Sequence, residues 1–208
     1  MTIATIDTVR PKLVRGRGGG GPASTRTVVA YGFWIFLLSD FILFAGLFAA
    51  YAVLSGNTAG GPTGAELFNL RSVFIETMCL LFSSYACGLG ALSAERRRVD
   101  HFYISAVFTF ALGAAFLFIE ISEFAGMISR GAGPSRSAFL SAFFTLVGTH
   151  GAHVTLGLIW FIYMVAQVAV KGLRPHVLRR LLCFSLFWHA LDIVWVGVFT
   201  LVYLMGVR

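Results

Sequence analysis

The sequence predicts an all-α integral membrane protein, a bundle of five transmembrane helices with a cytoplasmic N-terminus and a periplasmic C-terminus. Three observations carry this prediction. Of the 208 residues, 58% are hydrophobic and only 12% are charged, which is about half the charged fraction of soluble domains. Five apolar runs each exceed the roughly 20 residues that a helix needs to cross a bilayer. Lysine and arginine are concentrated in alternate connections between those runs.

The first 26 residues form a basic, glycine-rich segment that we predict to be a disordered cytoplasmic tail. It contains the stretch Arg15-Gly-Arg-Gly-Gly-Gly-Gly-Pro22, in which glycine removes backbone stiffness, and it lacks apolar periodicity. The apolar run that follows is much longer than the about 7–15 apolar residues of a cleavable signal peptide. We therefore expect a tail over residues 1–26 and a transmembrane domain over residues 27–208.

The five apolar runs are the predicted spans. They cover about 27–54, 71–94, 102–129, 138–170 and 180–206. Lipid cannot satisfy the unpaired backbone groups of an open sheet, and the runs far exceed the about 10 residues of a membrane β-barrel strand. All five prolines lie outside the runs, and we find no internal repeat. Both observations disfavour an inverted-repeat transporter.

The positions of the basic residues predict the orientation. The tail, the turn at residues 96–98 and the connection at residues 171–180 together carry 12 lysines and arginines, whereas the other side carries 4. The positive-inside rule places the side with 12 in the cytoplasm. The basic residues are not interleaved with aromatic residues as in nucleic-acid-binding proteins, so we expect a membrane and not a nucleic acid as the partner.

Eight ionisable side chains fall inside the predicted spans. A charge near the bilayer centre costs about 2.5–3.5 kcal/mol, so these side chains are the candidate site. Counting along helices of alternating direction places the three glutamates toward the outer side and the other five residues near mid-membrane. We expect a buried polar layer in which carboxylates face histidines. The eight are Asp40, Glu76, Glu120, Glu123, His150, His153, His189 and Asp192.

This polar layer can have one of four roles. Histidines on facing helices can hold a haem, convergent histidines and carboxylates can hold a metal ion, and alternating carboxylates and histidines can relay protons. Structural pairing of the histidines with Asp40 and Asp192 is the fourth. The three cysteines have no CxxC or zinc-type spacing, which is typical of small buried hydrophobic residues. They are Cys79, Cys87 and Cys183.

Three segments resemble subunit III of the haem-copper respiratory oxidases. They are Gly32-Phe-Trp-Ile-Phe-Leu-Leu-Ser-Asp-Phe-Ile-Leu-Phe44, the run from Phe139 through Thr149-His-Gly-Ala-His153 to Trp160, and Phe187-Trp-His-Ala-Leu-Asp-Ile-Val-Trp195 continuing to Gly206. The resemblance covers about residues 31–206. It is nearest to the quinol-oxidising, cytochrome bo-type branch, because the chain begins at what resembles the third helix of many cytochrome c oxidase subunits III.

The resemblance implies an accessory subunit with no catalytic residue and no cofactor or metal site of its own. Haem b, haem o or a and copper would belong to subunit I. The implied partners are oxidase subunits I, II and IV and phospholipids, and the implied location is the bacterial inner membrane. The implied role is to support assembly, lipid binding and sustained proton uptake by subunit I during quinol oxidation and oxygen reduction. The eight polar residues would then be structural or lipid-cleft residues.

Asp40 stands where the family commonly keeps a buried glutamate, and its side chain is one methylene shorter. Other functions also remain open. The chain can be subunit III of a cytochrome c oxidase, a free-standing transporter or proton channel that uses the polar layer, or a small membrane cytochrome b. The missing repeat and the uninterrupted helices disfavour the transporter.

Overall fold

The computed structural model describes residues 24–206, and the predicted residues 1–23 of the tail lie outside this part. Within it the chain is helical, without strands. The helices are α1 (Thr25–Leu54), the short α2 (Gly64–Leu67), α3 (Leu70–Glu95), α4 (Val99–Ser129), α5 (Ala138–Lys171) and α6 (Pro175–Val198). A π-helical segment, Phe199–Leu204, continues α6. Five helices are long and apolar enough to cross a membrane, α6 together with its continuation counting as one. The predicted five-span helical fold is confirmed.

Helix ends follow local capping signals. The Ser24 side chain accepts from the backbone of α1, so α1 includes two residues that we predicted to be tail. At the start of α5, the Ser137 hydroxyl accepts a hydrogen bond from the Leu140 N–H at 3.2 Å, as N-cap serines do. The last span begins at Pro175, earlier than the predicted residue 180, because proline at the first helical turn loses no helical hydrogen bond.

The central helix of the bundle is α6. It packs against α5, α3 and α1, while α4 packs against α3 and α5. Within one apolar 18-residue stretch of each span, 61% of the residues are buried in α6 and its continuation but only 11% in α1. The first helix is therefore peripheral, and most of its surface faces lipid or another protein.

The two ends of the bundle differ in charge. One end, called the basic end below, carries the α3–α4 turn at residues 96–98 and the α5–α6 turn at residues 171–174. An ion pair between Arg26 and Glu95 links α1 to α3 there. The opposite end carries the connections 55–69 and 130–137 and the end of the last span. The orientation of these ends across the membrane stays a prediction.

The π-helical segment is a feature that the sequence did not predict. Inserting π turns changes which residues face the core at the end of a helix. Here the ring centroid of Tyr203 lies 4.8 Å from that of Phe68 and 5.9 Å from that of Phe143. The Tyr51 hydroxyl donates to the Val202 carbonyl oxygen at 3.5 Å. The segment thereby joins α1, the loop before α3 and α5 at the opposite end.

Trp188 of α6 is packed at the centre of the bundle, where two glycines make room for its ring. It is 1% exposed. A Cβ added at Gly113 of α4 would stand 2.9 Å from the indole, and one added at Gly157 of α5 would stand 2.8 Å from it. The indole N–H donates to the Ser83 hydroxyl at 3.2 Å, and that hydroxyl donates to the Thr109 carbonyl oxygen at 2.8 Å. One side chain therefore connects four helices.

We expect Gly157→Val to destabilise the bundle by about 1–3 kcal/mol, the usual cost of overpacking, because the added methyl groups meet the Trp188 indole. Gly46→Val is the matched control, since a Cβ at that position in α1 has nothing within 4 Å while the loss of helical glycine is the same. Detergent denaturation of the purified protein measures the difference. Equal stability of the two variants would show that the glycine contact is unimportant.

Candidate functional site

The eight polar residues predicted inside the spans form three separate groups in the structure. The first holds three glutamates between α3 and α4. The second holds two histidines on α5, with Asp40 on the neighbouring α1. The third holds His189 and Asp192, which are one turn apart on α6 and face α3.

The glutamates form no ion pair within residues 24–206, and Arg130 interacts electrostatically with Glu123. Glu76 of α3 is 0% exposed and Glu120 of α4 is 3% exposed, while Glu123 is half-buried. Both carboxyl oxygens of Glu76 and Glu120, and Oε1 of Glu123, have no hydrogen-bond partner among the described residues. Glu76 interacts electrostatically with both other carboxyl groups.

The α5 histidines donate to backbone carbonyl groups. His150 is 0% exposed, and its Nε2–H donates to the Leu191 carbonyl oxygen of α6 at 3.2 Å. Its ring lies against Trp195, with 5.0 Å between the centroids. The Nδ1–H of His153 donates to the carbonyl oxygen of Thr149 in its own helix at 2.8 Å. Both imidazoles are thus held by neutral acceptors.

Asp40 lies beside α6 and does not pair with the histidines. Its side chain is half-buried and lines a narrow gap with Leu191 and Phe44. Phe44, one turn further along α1, reaches the histidines instead. Its ring centroid is 5.2 Å from that of His153.

The third group faces α3 through a hydroxyl. Ser84 and the Nδ1 of His189 are 2.6 Å apart, a short hydrogen bond. A Cβ added at Gly88, one turn along α3, would stand 3.6 Å from the Nε2 of His189. The Oδ1 of Asp192 has no partner within the described part of the chain. The imidazole therefore lies in a pocket shaped by Ser84 and Gly88.

The predicted pairing of carboxylates with histidines is wrong for the described residues. No histidine–carboxylate ion pair is present over residues 24–206. The hydrogen bonds of the histidines go to carbonyl and hydroxyl groups and bury no charge, and the Nδ1 of His150 has no partner among the described residues. The predicted separation in depth also fails for Glu120, because a Cβ at Gly151, next to His150, would stand 2.8 Å from its Oε1. Helical side chains lean toward the N-terminus, so this carboxyl group lies deeper than its Cα.

The histidines do not fit a haem or a metal ion. His150 is directed to α6, His153 to its own helix and His189 to α3, so their ring nitrogens do not converge. Across residues 24–206 no group of three or more His, Cys, Asp or Glu side chains could hold a metal ion. The haem and metal chemistries that the sequence left open are therefore not supported by these residues.

A polar cavity beside the glutamate group was missed by sequence reasoning. It lies between the start of α3 and the end of α4 at the opposite end of the bundle, has a volume of about 260 Å³, and is called the α3–α4 cavity below. The signal for it is helical spacing, since Ser72 stands one turn before Glu76 and Glu123 stands one turn after Glu120. Its lining is Leu67, Asn69, Ser72, Ile119, Ser122, Glu123, Gly126, Met127 and Arg130.

Comparisons with known proteins agree over most of the chain. Residues 17–207 match the family model described as cytochrome c oxidase subunit III. A relative from Pseudomonas aeruginosa, named cytochrome bo(3) ubiquinol oxidase subunit 3, is 53% identical over 176 residues, which are 85% of this chain and 84% of the relative. A Bacillus subtilis relative named quinol oxidase subunit 3 is 45% identical over 175 residues, covering 84% and 86% of the two chains.

A third relative, from Buchnera aphidicola of Acyrthosiphon pisum, is named cytochrome bo(3) ubiquinol oxidase subunit 3. It is 43% identical over 182 residues, which are 88% of this chain and 89% of the relative. The match to the family model spans all five long helices. The chain therefore belongs to the cytochrome c oxidase subunit III family.

Proposed function

We propose that the chain is the accessory subunit III of a proton-pumping, cytochrome bo-type ubiquinol oxidase in the bacterial inner membrane. The observation that carries this proposal is the 53% identity to a cytochrome bo(3) ubiquinol oxidase subunit 3 over 85% of the chain. The relatives at 45% identity from Bacillus are likewise named for quinol oxidases. These names favour quinol over cytochrome c as the electron donor of the complex, although the family model carries the cytochrome c oxidase name.

The chemistry of the complex would belong to its other chains. Subunit I would hold haem b, haem o or a and copper, and subunits II and IV would complete the assembly. In support, the three histidines in the spans are directed to three different elements and already hydrogen-bonded. The peripheral α1, with only 11% of its span buried, supplies a long apolar face that another subunit could cover. Such a chain positions and stabilises its partners.

Lipid binding is the second part of the proposed role. An apolar groove of about 300 Å³ lies between α4 and α5, with Tyr103 and Val165 toward the basic end and Phe110 further from it. It begins near the basic end, where Arg96, Arg97 and Arg98 are exposed. Basic residues at a membrane surface attract anionic headgroups by about 1 kcal/mol each. The occupant that suits both features is an anionic phospholipid, with an acyl chain in the groove and its phosphate at the basic end.

Support of sustained proton uptake by subunit I is the third part of the role. The polar residues act here through structure, because Asp40 and the histidines form no ion pair within residues 24–206. Loss of a supporting subunit of this kind shortens the time over which the complex stays active more than it lowers the initial rate. The rivals are a free-standing proton channel and a small cytochrome, and both predict a chain that functions alone.

Purification of the tagged chain in mild detergent separates these functions. We expect the other oxidase subunits to co-purify, with haem absorbance in the complex and no haem bands in the chain once it is separated from its partners, because its histidines are directed to three different elements and their ring nitrogens do not converge. A chain that runs alone under conditions that preserve oxidase complexes would contradict the accessory role. Haem bands in the isolated chain would instead support the cytochrome.

Asp40→Asn should leave the initial rate of quinol oxidation near that of the wild type, because the half-buried carboxylate has no ion pair to lose among the described residues. Oxygen consumption by the purified complex measures this, followed over repeated turnovers for a faster decline. Asp100→Asn, at an exposed position in the first turn of α4, is the control. Immediate and total loss of activity in an assembled complex would rule out a supporting role for Asp40.

A further inference from the structure

The α3–α4 cavity has the size and lining of a water-filled pocket. Its volume of about 260 Å³ accommodates several water molecules, since each occupies about 30 Å³ in the liquid. Polar groups on its wall come from both helices: Asn69 and Ser72 from the start of α3, and Ser122, Glu123 and Arg130 from α4. Water in it would meet both hydrogen-bond donors and acceptors.

Two buried carboxyl groups lie one helical turn behind the wall of the cavity. Ser72 and Glu76 are four residues apart on α3, and Glu123 and Glu120 are three apart on α4, spacings that place each pair on one helix face. Glu76 is 0% exposed and Glu120 is 3% exposed, and none of their four oxygens has a partner among the described residues. The half-buried Glu123 stands between them and the cavity.

The charged and titratable groups around this cluster offer no direct countercharge. Arg130 is the basic group of the cavity wall, and it interacts electrostatically with Glu123. Its Nε–H donates to the Gly126 carbonyl oxygen at 3.0 Å, and no ion pair joins it to a glutamate.

From the other packed elements come His150 of α5, Tyr51 of α1 and the buried Tyr203. Tyr203 interacts electrostatically with all three carboxyl groups. His150 is next to Gly151, which contacts the carboxyl group of Glu120. None of the three forms an ion pair with a glutamate in the described part of the chain. The cluster therefore faces no cation deep in the bundle.

One turn beyond the two buried glutamates, each helix carries an apolar side chain. One turn further along α3 is Leu80, 1% exposed, and one turn before Glu120 on α4 is Phe116, 0% exposed. Burying three carboxylates without partners is prohibitive, and such groups are neutralised by protons or solvated by water. The α3–α4 cavity offers a polar approach to these carboxyl groups.

We propose that the α3–α4 cavity connects bulk water, on the predicted outer face, to a proton-exchange site formed by Glu123, Glu120 and Glu76. A water molecule takes a proton from a carboxyl group and leaves as hydronium, or hydronium returns it; an O–H bond breaks on one oxygen and forms on the other. The site goes beyond the proposed function and stands on residues of this chain alone.

Infrared spectroscopy of the chain, purified in whatever assembly it forms, tests this site. We expect Glu76→Gln and Glu120→Gln each to remove intensity from the C=O stretch of protonated carboxyl groups. In the wild type this band should shift on transfer to D₂O. Ser122→Leu, which fills the cavity wall, should slow that shift at least tenfold.

The matched control is Ser39→Leu, because both serines are exposed and both hydrogen-bond to a carbonyl oxygen of their own helix. If Ser122→Leu fails to assemble, Gly126→Val is the second variant. Gly126 also lines the cavity, and a Cβ there has room, because it meets only Arg130 at 3.9 Å. Unchanged carboxyl bands in both glutamine variants would overturn the proposal. So would deuterium exchange at the wild-type rate in the cavity-filled variant.

Discussion

Two tryptophans of α6 fill the centre of the bundle and donate their indole N–H groups to hydroxyl groups of α3. Trp188 donates to Ser83 at 3.2 Å and Trp195 donates to Thr77 at 3.0 Å. Both rings are fully buried, and glycines on α4 and α5 leave room for the first of them. In a membrane, helices gain little from hydrophobic association, so close packing and hydrogen bonds between helices hold the bundle together. The other helices are arranged around these two contacts.

The neutral hydrogen bonds at the centre also explain how the polar residues are arranged in the bundle. His150 stacks beside Trp195 and donates to a carbonyl oxygen, and His189 pairs with Ser84. Neither of these hydrogen bonds involves a carboxylate. The three glutamates are consequently separate, in a cluster that faces the α3–α4 cavity at one end. The single polar layer that we expected is divided into parts with different partners.

Most of the fold could be predicted from the sequence, because span length and apolar composition are properties of contiguous residues. The N-cap of α5 is likewise set by local sequence, since the Ser137 hydroxyl accepts a hydrogen bond from the Leu140 N–H. The π-helical segment was not, since it depends on how Tyr203 packs against Phe68 and Phe143. The partners of the histidines were also beyond reach, because helix rotation decides whether a side chain meets a carboxylate, a hydroxyl group or a backbone carbonyl.

The candidate site was predicted as a set of residues but not as an arrangement. Counting residues along α4 placed Glu120 away from His150, yet its carboxyl group touches Gly151, because the side chain leans toward the start of its helix. The α3–α4 cavity was missed for a related reason. It arises from the facing surfaces of two helices, and neither surface is conspicuous alone. The family resemblance could be found from short segments read along the chain. The proposed role of the glutamates could not, because it depends on how two helices pack against each other.

The accessory role rests on the claim that all haem and copper of the complex lie in other chains. The direct measurement is the haem and copper content per subunit I, determined for the purified oxidase with this chain present and after its removal. We expect the same content in both preparations, because the histidines in the spans are directed to three different elements and their ring nitrogens do not converge. Loss of a whole equivalent of haem or copper with this chain would contradict it.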